Sequence, residues 1–232
     1  MERGLYIAAS GMIAEQMRQD AIANDLANAS TPGYKADRVT QSSFPELLLS
    51  NTTTGQVVGP LGTGAYADSM VTNLAPQATR VTDEPLDLAI AGEGFFGVQT
   101  PQGVRYTRNG QFGTSPQGLL IDQNGNQVLG RGGGPVRVAA NGTVAADAVG
   151  VFRVGGARKE GDNYFTGAAA GQADGQVQVG ALEGSGIDPA RVMVDMIASF
   201  RAYEAGQKTI QTIDDTLRRT ATQVGNATGG SV

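Results

Sequence analysis

Residues 24–35 read NDLANASTPGYK, and this stretch decides the fold because it ends a helical segment that begins near Glu2. Its Asn, Ser and Thr side chains compete for backbone hydrogen bonds, and Pro32 cannot continue a helix. Gly33 permits the positive φ that a sharp turn needs. The pattern predicts a helix from Glu2 to about Ala29, followed by a different kind of structure.

The helix before this stretch has a weak apolar stripe. Gln16 and Gln19 interrupt the stripe, and Gly11 lowers the stability of the helix by about 1 kcal/mol relative to Ala. A stripe that polar residues interrupt indicates a helix that becomes ordered by packing against a partner. The residues that follow the three-four spacing are Leu5, Ala9, Met12, Ala23 and Leu26.

A second helix is predicted from Asp188 to about Val224. Asp188 is the N-cap, and Pro189 occupies the first helical position. Steps of four and three then repeat as a heptad, which predicts one packing partner within the chain and one outside it, although the helix could instead lie across its own β core. The heptad residues are Val192, Met196, Ser199, Tyr203, Gly206, Ile210, Ile213, Leu217, Thr220 and Val224. Near its start the stripe is widened by Met193, Ile197 and Phe200.

The region between the helices has the alternation of β-strands. Asn-Gly pairs at residues 109–110, 124–125 and 141–142 supply the positive φ angles of tight hairpins, which predicts a meander of short antiparallel strands. The predicted strands cover residues 86–90, 95–98, 104–107, 119–121, 136–138 and 151–154.

These elements predict an α+β fold in which the long N- and C-terminal helices form a coiled-coil-like pair around a central, mainly antiparallel β module. The predicted terminal helical domain combines residues 1–35 with 181–232. A β-rich domain covers residues 83–155. Ser, Thr, Gly and Pro are frequent in residues 36–82, and we expect this stretch and residues 156–180 to be extended connectors.

Composition excludes several classes of function. The 232 residues include no Cys and no His, which removes thiolate nucleophiles, the usual general base near neutral pH, and the commonest zinc ligands. The net charge of −5 and the absence of a basic stripe argue against a nucleic-acid partner. The start of the chain lacks the apolar core of a secretory signal, which predicts a cytosolic protein or one exported without cleavage.

Three patterns resemble catalytic or binding motifs, and each has a simpler interpretation. Residues 92–97 read GEGFFG and match a dinucleotide fingerprint, but a strand follows them instead of a helix, so we interpret them as a tight turn. Residues 122–126 resemble the start of a calcium loop, but Gln127 replaces the glycine of that loop, so we expect a hairpin turn. Solvated turn acids are commoner than a glycosidase pair, and that is our interpretation of Asp83, Glu84, Asp87 and Glu93.

Three motifs together resemble the bacterial flagellar axial proteins, the rod and hook family. The first is the helix of residues 5–29 with its ending at residues 24–35. The second is the β sequence of residues 86–96 and 106–112, and the third runs from Leu182 through the start of the second helix. The modest length and single β module are similar to the short rod-type hook-basal body proteins.

The resemblance implies a structural subunit of the flagellar basal-body rod, not an enzyme. Such subunits are exported by the flagellar type III apparatus and polymerise outside the cytoplasm into a helical tube that connects the motor to the hook. The resemblance implies that the terminal helical domain is the inner, polymerising domain and that the β-rich domain is the outer one. Expected partners are copies of the chain, neighbouring rod and hook axial proteins and the export apparatus, with no nucleic acid, membrane insertion, cofactor, metal or catalytic residue. The alternatives are a hook-type axial subunit and a secreted β-rich adhesive or carbohydrate-binding protein, which would need exposed aromatic residues.

The resemblance also assigns residues to the subunit interface. Residues near the end of the first helix are expected to set how it meets the connector, and apolar residues of the second helix are expected to pack against helices of the same and adjacent subunits. These interface residues are Leu5, Met12, Asn24, Leu26, Asn28, Thr31, Gly33, Tyr34, Met196, Phe200, Tyr203, Ile210, Ile213 and Leu217.

Overall fold

The computed structural model describes residues 2–50, 52–161 and 163–228. Two helices lie at the ends of this described chain, α1 (Glu2–Ala27) and α2 (Pro189–Thr228), and strands lie between them. The strands are β1 (Asp37–Ser43), β2 (Leu47–Ser50), β3 (Val57–Leu61), β4 (Ala65–Thr72), β5 (Thr79–Val81), β6 (Leu88–Ala91), β7 (Phe95–Thr100), β8 (Gly103–Thr107), β9 (Gly113–Thr114), β10 (Leu120–Ile121), β11 (Gln127–Val128), β12 (Val151–Lys159), β13 (Tyr164–Gln172), β14 (Gln176–Val179) and β15 (Ala181–Glu183).

Backbone contacts divide the chain into two compact units. Unit 1 consists of Met1–Asn24, Asp37–Val71 and Ala190–Val232, and unit 2 consists of Asp25–Ala36 and Thr72–Pro189. The stretches expected to be connectors contain paired strands, among them the β1–β4 and β2–β3 pairs and most of the β12–β13 pair. Of the predicted terminal domain, Met1, residues 229–232 and the side chain of the heptad residue Val224 lie outside the described residues.

Unit 2 is built on an antiparallel sheet with the strand order β12-β13-β8-β7-β11-β10-β9. Strand β12 pairs with both β13 and β7, so β12, β13, β8 and β7 close into a ring. Successive residues of a strand point to opposite faces, and both faces of β7 are covered. Phe96 packs in the larger core with Leu88, Leu120 and Val149, whereas Phe95 packs with Tyr106 and Phe165.

The turns of unit 2 follow the predicted chemistry at two of the three Asn-Gly pairs. Gly125, between β10 and β11, has a φ of 81°, and Gly142 has a φ of 77°. Gly110 has no positive φ, so that prediction is wrong. Gly110 is required for a different reason, because a Cβ there would lie 1.6 Å from the carbonyl oxygen of Leu88. The Leu88 amide donates to the Gly110 carbonyl at 3.0 Å, so the two backbones are in direct contact.

Gly110→Ala should lower the free energy of unfolding of unit 2 by about 1–3 kcal/mol, because the added methyl group forces two hydrogen-bonded backbones apart. Denaturant unfolding followed by near-UV circular dichroism measures this loss. Gly113→Ala is the matched control, since no atom lies within 4 Å of its Cβ position. Equal midpoints for the two variants would show that the approach of Leu88 does not constrain this site.

Residues 92–97 and 122–126, which resemble binding motifs but were interpreted as turns, do form turns. Gly92 and Gly94 have φ angles of 104° and 123°, and the chain continues directly into β7. The Asp122 carboxylate closes the β10–β11 turn by accepting from the amides of Asn124 at 3.0 Å and Asn126 at 2.8 Å. Residues 136–138, which were predicted as a strand, form only an isolated bridge through Arg137 to Leu119.

The prediction of a coiled-coil-like helical pair is wrong. Helix α1 has 26 residues against 40 in α2, so it is too short to follow α2 along its whole length. Of the α2 side chains described, only that of Ser199 is fully buried, and the apolar heptad residues are half-buried. The contacts between the helices involve small and polar residues, Gly206 beside Met12 and Ser199 beside Glu15, where a coiled coil would interlock large apolar side chains.

The buried side of α1 also differs from the predicted stripe. Ala14 and Ala21 are buried, whereas Ala23 is exposed, contrary to the prediction. Because alanine carries little apolar area, the three-four pattern did not identify which alanines of α1 lie on the packed face. The α2 start agrees with the sequence, because the helix begins at Pro189 directly after Asp188.

Candidate functional site

The segment that follows α1 pairs with the segment that leads into α2. The Gly33 amide donates to the Glu183 carbonyl at 2.9 Å, and the Gly186 amide donates to the Tyr34 carbonyl at 2.8 Å. These hydrogen bonds hold the beginning of one helix beside the end of the other, although more than 140 residues separate them in sequence. We name this pair of segments, residues 28–36 and 183–188, the helix junction.

Gly33 makes the helix junction possible in two ways. Its φ of 66° confirms the predicted left-handed turn. A Cβ at this position would also lie 2.3 Å from the carbonyl carbon and oxygen of Arg108, so no larger residue fits against this backbone. The second requirement could not be seen in the sequence, because it depends on a segment 75 residues away.

A buried cluster of three charged side chains lies beneath the helix junction. The Lys35 ammonium lies 2.6 Å from one carboxylate oxygen of Glu183, and the Arg108 guanidinium lies 2.9 Å from the other. Each of the three side chains has at most 1% of its surface exposed. Two further donors reach backbone carbonyls, since Lys35 donates to Ala75 at 2.7 Å and Arg108 donates to Gly92 at 2.8 Å, whereas Nε of Arg108 is buried without a hydrogen-bond partner among the described residues. We name Lys35, Arg108 and Glu183 the charge cluster.

The charge cluster contains two cations and one anion. Burial lowers the pKa of the Lys35 ammonium, the hydrogen bond and charge of Glu183 act in the opposite direction, and the nearby Arg108 charge lowers it further. Glu183 also accepts a hydrogen bond from the Gln77 amide at 2.8 Å. One carboxylate therefore provides the counter-charge for both cations and organises three separate segments of unit 2.

The three sequence motifs contain all three residues of the charge cluster, but none of the three was predicted as an interface residue. Lys35 ends the first motif, Arg108 lies in the second, and Glu183 lies in the third. Each motif also contains other charged residues, such as Asp25 in the first, Asp87 and Glu93 in the second and Asp188 in the third. The sequence alone therefore could not show which three charges meet.

Several predicted interface residues lie in or near the helix junction. Tyr34 is buried, and its hydroxyl donates to the Asp25 carboxylate at 2.9 Å. The Lys159 ammonium lies 3.7 Å from the centre of the Tyr34 ring, a cation–π arrangement. Thr31 donates to the side-chain oxygen of Asn28 at 3.2 Å. Two further predicted residues differ in exposure, because Leu26 is half-buried and Asn24 is exposed.

The remaining predicted interface residues belong to unit 1. Phe200 is 51% exposed, which distinguishes it from the others. A Cβ on Gly206 would lie 2.7 Å from Cγ of Met12, and one on Gly4 would lie 3.3 Å from Cδ1 of Ile213, so these two pairs mark where the helices approach. The half-buried members of the set are Leu5, Met12, Met196, Tyr203, Ile210, Ile213 and Leu217.

A polar contact that the sequence did not indicate joins the helices of unit 1. Ser199 is fully buried, and its hydroxyl donates to the Glu15 carboxylate at 2.6 Å. A second oxygen of Glu15 accepts from Gln41 of β1 at 3.2 Å. Glu15 therefore connects both helices with the strand that follows α1.

Ser199→Ala should destabilise the helix pair of unit 1 by about 1.5–3 kcal/mol, because the Glu15 carboxylate loses a charge-assisted donor in a buried position. Thermal unfolding followed by far-UV circular dichroism should detect the loss of helix at lower temperature. Thr212→Ala is the control, since Thr212 is exposed and its hydroxyl donates within α2 to the Lys208 carbonyl. The Ser199–Glu15 contact would carry no stability if both variants melted like the unmodified chain.

The apolar surface of the protein is unevenly distributed between the units. Among the described residues, 20 large apolar side chains are exposed, and all but Val81, Val104 and Val179 belong to unit 1. Of the 21 buried apolar side chains that the structure describes, only Ala14 and Ala21 belong to unit 1. Unit 1 thus has almost no core of its own, whereas unit 2 has a complete one.

Two concentrations of this surface stand out. One is on α2, where Met193, Val194, Ile197 and Phe200 are between 49% and 65% exposed. The other is the β2–β3 hairpin, whose exposed side chains are Leu47, Leu48, Leu49, Val57 and Val58. Within unit 1, a groove of about 480 Å³ is lined by small residues of both helices, including Gly4, Ala8, Gly11, Ala202 and Gly206.

The part of the chain that the structure describes offers no arrangement typical of catalysis or metal binding. No group of three or more acidic, His or Cys side chains in it is placed to hold a metal ion. No described helix is long and apolar enough to cross a membrane. The four acids considered as a glycosidase pair are divided, because Asp87 is buried whereas Asp83, Glu84 and Glu93 are exposed.

Three segments of the chain match families of flagellar proteins. Residues 5–35 match the family described as flagella basal body rod protein. Residues 89–151 match the D1 domain of the flagellar hook protein FlgE/F/G, and residues 178–224 match the C-terminal part of the flagellar basal body rod FlgEFG proteins. The chain belongs to this family of flagellar rod and hook axial subunits, which are structural proteins.

Similarity to individual family members extends over almost the whole chain. The chain is 32% identical to the flagellar basal-body rod protein FlgF of Caulobacter vibrioides, over 97% of this chain and 99% of that protein. It is 31% identical to the rod protein FlgG of the same organism, over 94% of this chain and 98% of that protein. It is 32% identical to FlgF of Escherichia coli, over 94% of this chain and 97% of that protein.

Proposed function

We propose that this chain is a rod subunit that polymerises through unit 1 and carries unit 2 as an independently folded outer domain. Its partners are copies of itself and neighbouring rod and hook axial proteins. Like the rod proteins it resembles, it is exported without cleavage by the flagellar type III apparatus and functions outside the cytoplasm. A contact that joins different surfaces of successive copies, with a rotation that does not close, produces a helical tube.

The observation that carries the proposal is the contrast between the two units. Burying apolar surface contributes roughly 25 cal/mol per Å², and nearly all of the exposed large apolar side chains are in unit 1. A monomeric soluble protein rarely leaves contiguous apolar patches of this kind uncovered. Contacts between subunits would cover them and supply the core that unit 1 lacks.

The polymerisation proposal makes helix order depend on assembly. Helix content, measured by far-UV circular dichroism, should rise with sedimentation mass as the concentration of purified chain increases. Hydrogen exchange should show that the gain in protection lies in α1 and α2, whereas β7 and β8 are equally protected before and after assembly. Polymers that form without added protection of the helices would contradict the proposed role of unit 1.

A deletion variant tests the helices of unit 1 directly. A chain lacking residues 2–24 and 190–232, which keeps all of unit 2, should no longer assemble, because it has lost the helical part of unit 1. Rods formed by that shortened chain would place the polymerising contacts in the β region instead.

The adhesive or carbohydrate-binding alternative is disfavoured by the positions of the aromatic residues. Phe95, Phe96, Tyr106 and Phe112 are all buried, with at most 8% of their surface exposed, so they form no platform on which a sugar ring could stack. Glycan-array binding by the purified full-length chain would revive that alternative.

A further inference from the structure

The charge cluster joins three segments that are far apart in sequence. Lys35 and Glu183 are separated by 148 positions, and Arg108 and Glu183 by 75. The two cations have a counter-charge only when the last of these segments is in place, because Glu183 supplies the one negative charge of the cluster. Without that carboxylate, two cations remain in an environment that excludes water.

Arg108 connects the charge cluster to the core of unit 2. Its guanidinium donates to the Gly92 carbonyl at 2.8 Å, just after β6, and its backbone directly follows β8. Strand β6 contributes Leu88 and Ile90 to the larger core, and its partner strand is β14. An unpaired Arg108 would therefore penalise the packing of β6 and β8, and not only the helix junction.

The same carboxylate belongs to a residue whose backbone closes the helix junction. The Glu183 carbonyl accepts from the Gly33 amide at 2.9 Å, and β15, which ends at Glu183, pairs with β5. Lys35 lies two residues beyond Gly33 and reaches the carboxylate from that side. Glu183 therefore takes part both in closing the core of unit 2 and in closing the helix junction.

We propose that Glu183 makes the folding of unit 2 conditional on the arrival of the C-terminal segment, so that the β core and the helix junction form in a single cooperative step. An incomplete chain would have to bury Arg108 and Lys35 without a counter-charge, and its core would remain open. The proposal concerns the cooperativity of folding within unit 2 and does not rest on the polymerisation proposed above.

Hydrogen exchange of the full-length chain tests this coupling. In the unmodified protein, the amides of β7, β8 and the helix junction should open with one common equilibrium constant. Glu183→Gln, which keeps the side-chain size but removes the charge, should raise that constant about a hundredfold or more in all three places. Faster exchange confined to the helix junction, with β7 and β8 still protected, would overturn the proposal.

Two further variants keep the test decisive. Glu160→Gln removes a carboxylate that is 48% exposed and pairs with Arg105 at 2.6 Å, so it should leave the exchange of β7 and β8 within about twofold. If Glu183→Gln does not fold at all, the charge-free combination of Lys35→Met, Arg108→Met and Glu183→Leu should restore folding. A combination that also fails to fold would overturn the proposal, because shape and not charge would then be the requirement.

Discussion

Glu183→Gln should lower the free energy of unfolding of unit 2 by about 3–5 kcal/mol, because removal of one member of a buried ion pair leaves the other charges without compensation. The loss is a large share of the total, since domains of this size are stable by only about 5–15 kcal/mol. Here two cations lose their partner at once, and the Gln77 amide loses a charged acceptor. This substitution should be among the most destabilising that leave the core volume unchanged.

Substitutions of Lys35 and Glu183 should lower the free energy of unfolding by different amounts. Lys35→Met leaves the Arg108–Glu183 pair intact and removes an ammonium whose pKa burial already lowers, so it should cost less than Glu183→Gln. Denaturant unfolding followed by near-UV circular dichroism gives the midpoints of Glu183→Gln, Lys35→Met and the surface control Glu160→Gln. The free energy of unfolding of Glu160→Gln should lie within about 0.5 kcal/mol of that of the unmodified chain. If Lys35→Met lowered the free energy of unfolding as much as Glu183→Gln, the role of Glu183 as the counter-charge for both cations would be refuted.

Local backbone chemistry was predictable from the sequence. The positive φ of Gly33, the start of α2 at Pro189 and the hairpin turn at Gly125 each follow from the residue that occupies the position. The alternation around Phe95 and Phe96 predicted a strand, and β7 is present there. These features depend on neighbours within a few residues, and a sequence pattern can represent such neighbours.

Features that depend on distant segments were not predictable. Gly110 carries the signature of a tight turn, but the carbonyl of Leu88 is what excludes a side chain from it. The heptad of α2 predicted a continuous seam, yet a seam needs a partner of equal length, and α1 ends too early. Likewise, no local pattern distinguishes Arg108 from a surface arginine, because its burial results from Glu183 and the Gly92 carbonyl.

The two units therefore achieve stability by different routes. Unit 2 has a closed ring of strands, a large apolar core and a buried charge cluster, so its core contacts are made within one chain. Unit 1 relies on alanines, a serine–carboxylate hydrogen bond and half-buried apolar residues. A subunit that must be soluble before assembly and firmly held after it benefits from this division, since only the surface used for assembly depends on neighbours.

Phe200→Asp should abolish polymerisation while leaving the monomer folded. The Phe200 side chain is 51% exposed, so the free energy of unfolding of the monomer should change by no more than about 0.5 kcal/mol. In a polymer the same position would be covered by a neighbour, and an unpaired buried carboxylate costs several kcal/mol. A loss of about 3 kcal/mol per contact raises the concentration required for assembly roughly a hundredfold.

Tyr203 and Ile210 are less suitable for this test, although the sequence assigned them to the same interface. Both are half-buried in the single chain, so a charge there would disturb unit 1 before any subunit contact forms. Phe200→Leu is the matched control, because it keeps an apolar residue that is favourable in a helix. It should assemble at nearly the unmodified concentration.

Sedimentation of purified chain measures the critical concentration, and soft-agar swimming of a strain that lacks the gene and is complemented with each variant measures function. Unit 2 should unfold at the same denaturant concentration in Phe200→Asp, Phe200→Leu and the unmodified chain, which separates a lost contact from a lost fold. Normal swimming with Phe200→Asp would exclude the exposed apolar face of α2 from the subunit interface. In that case the apolar surface of unit 1 available to hold neighbouring copies would include the β2–β3 hairpin, with its five exposed leucine and valine side chains, and the exposed Tyr6, Ile7, Ile13 and Met17 of α1.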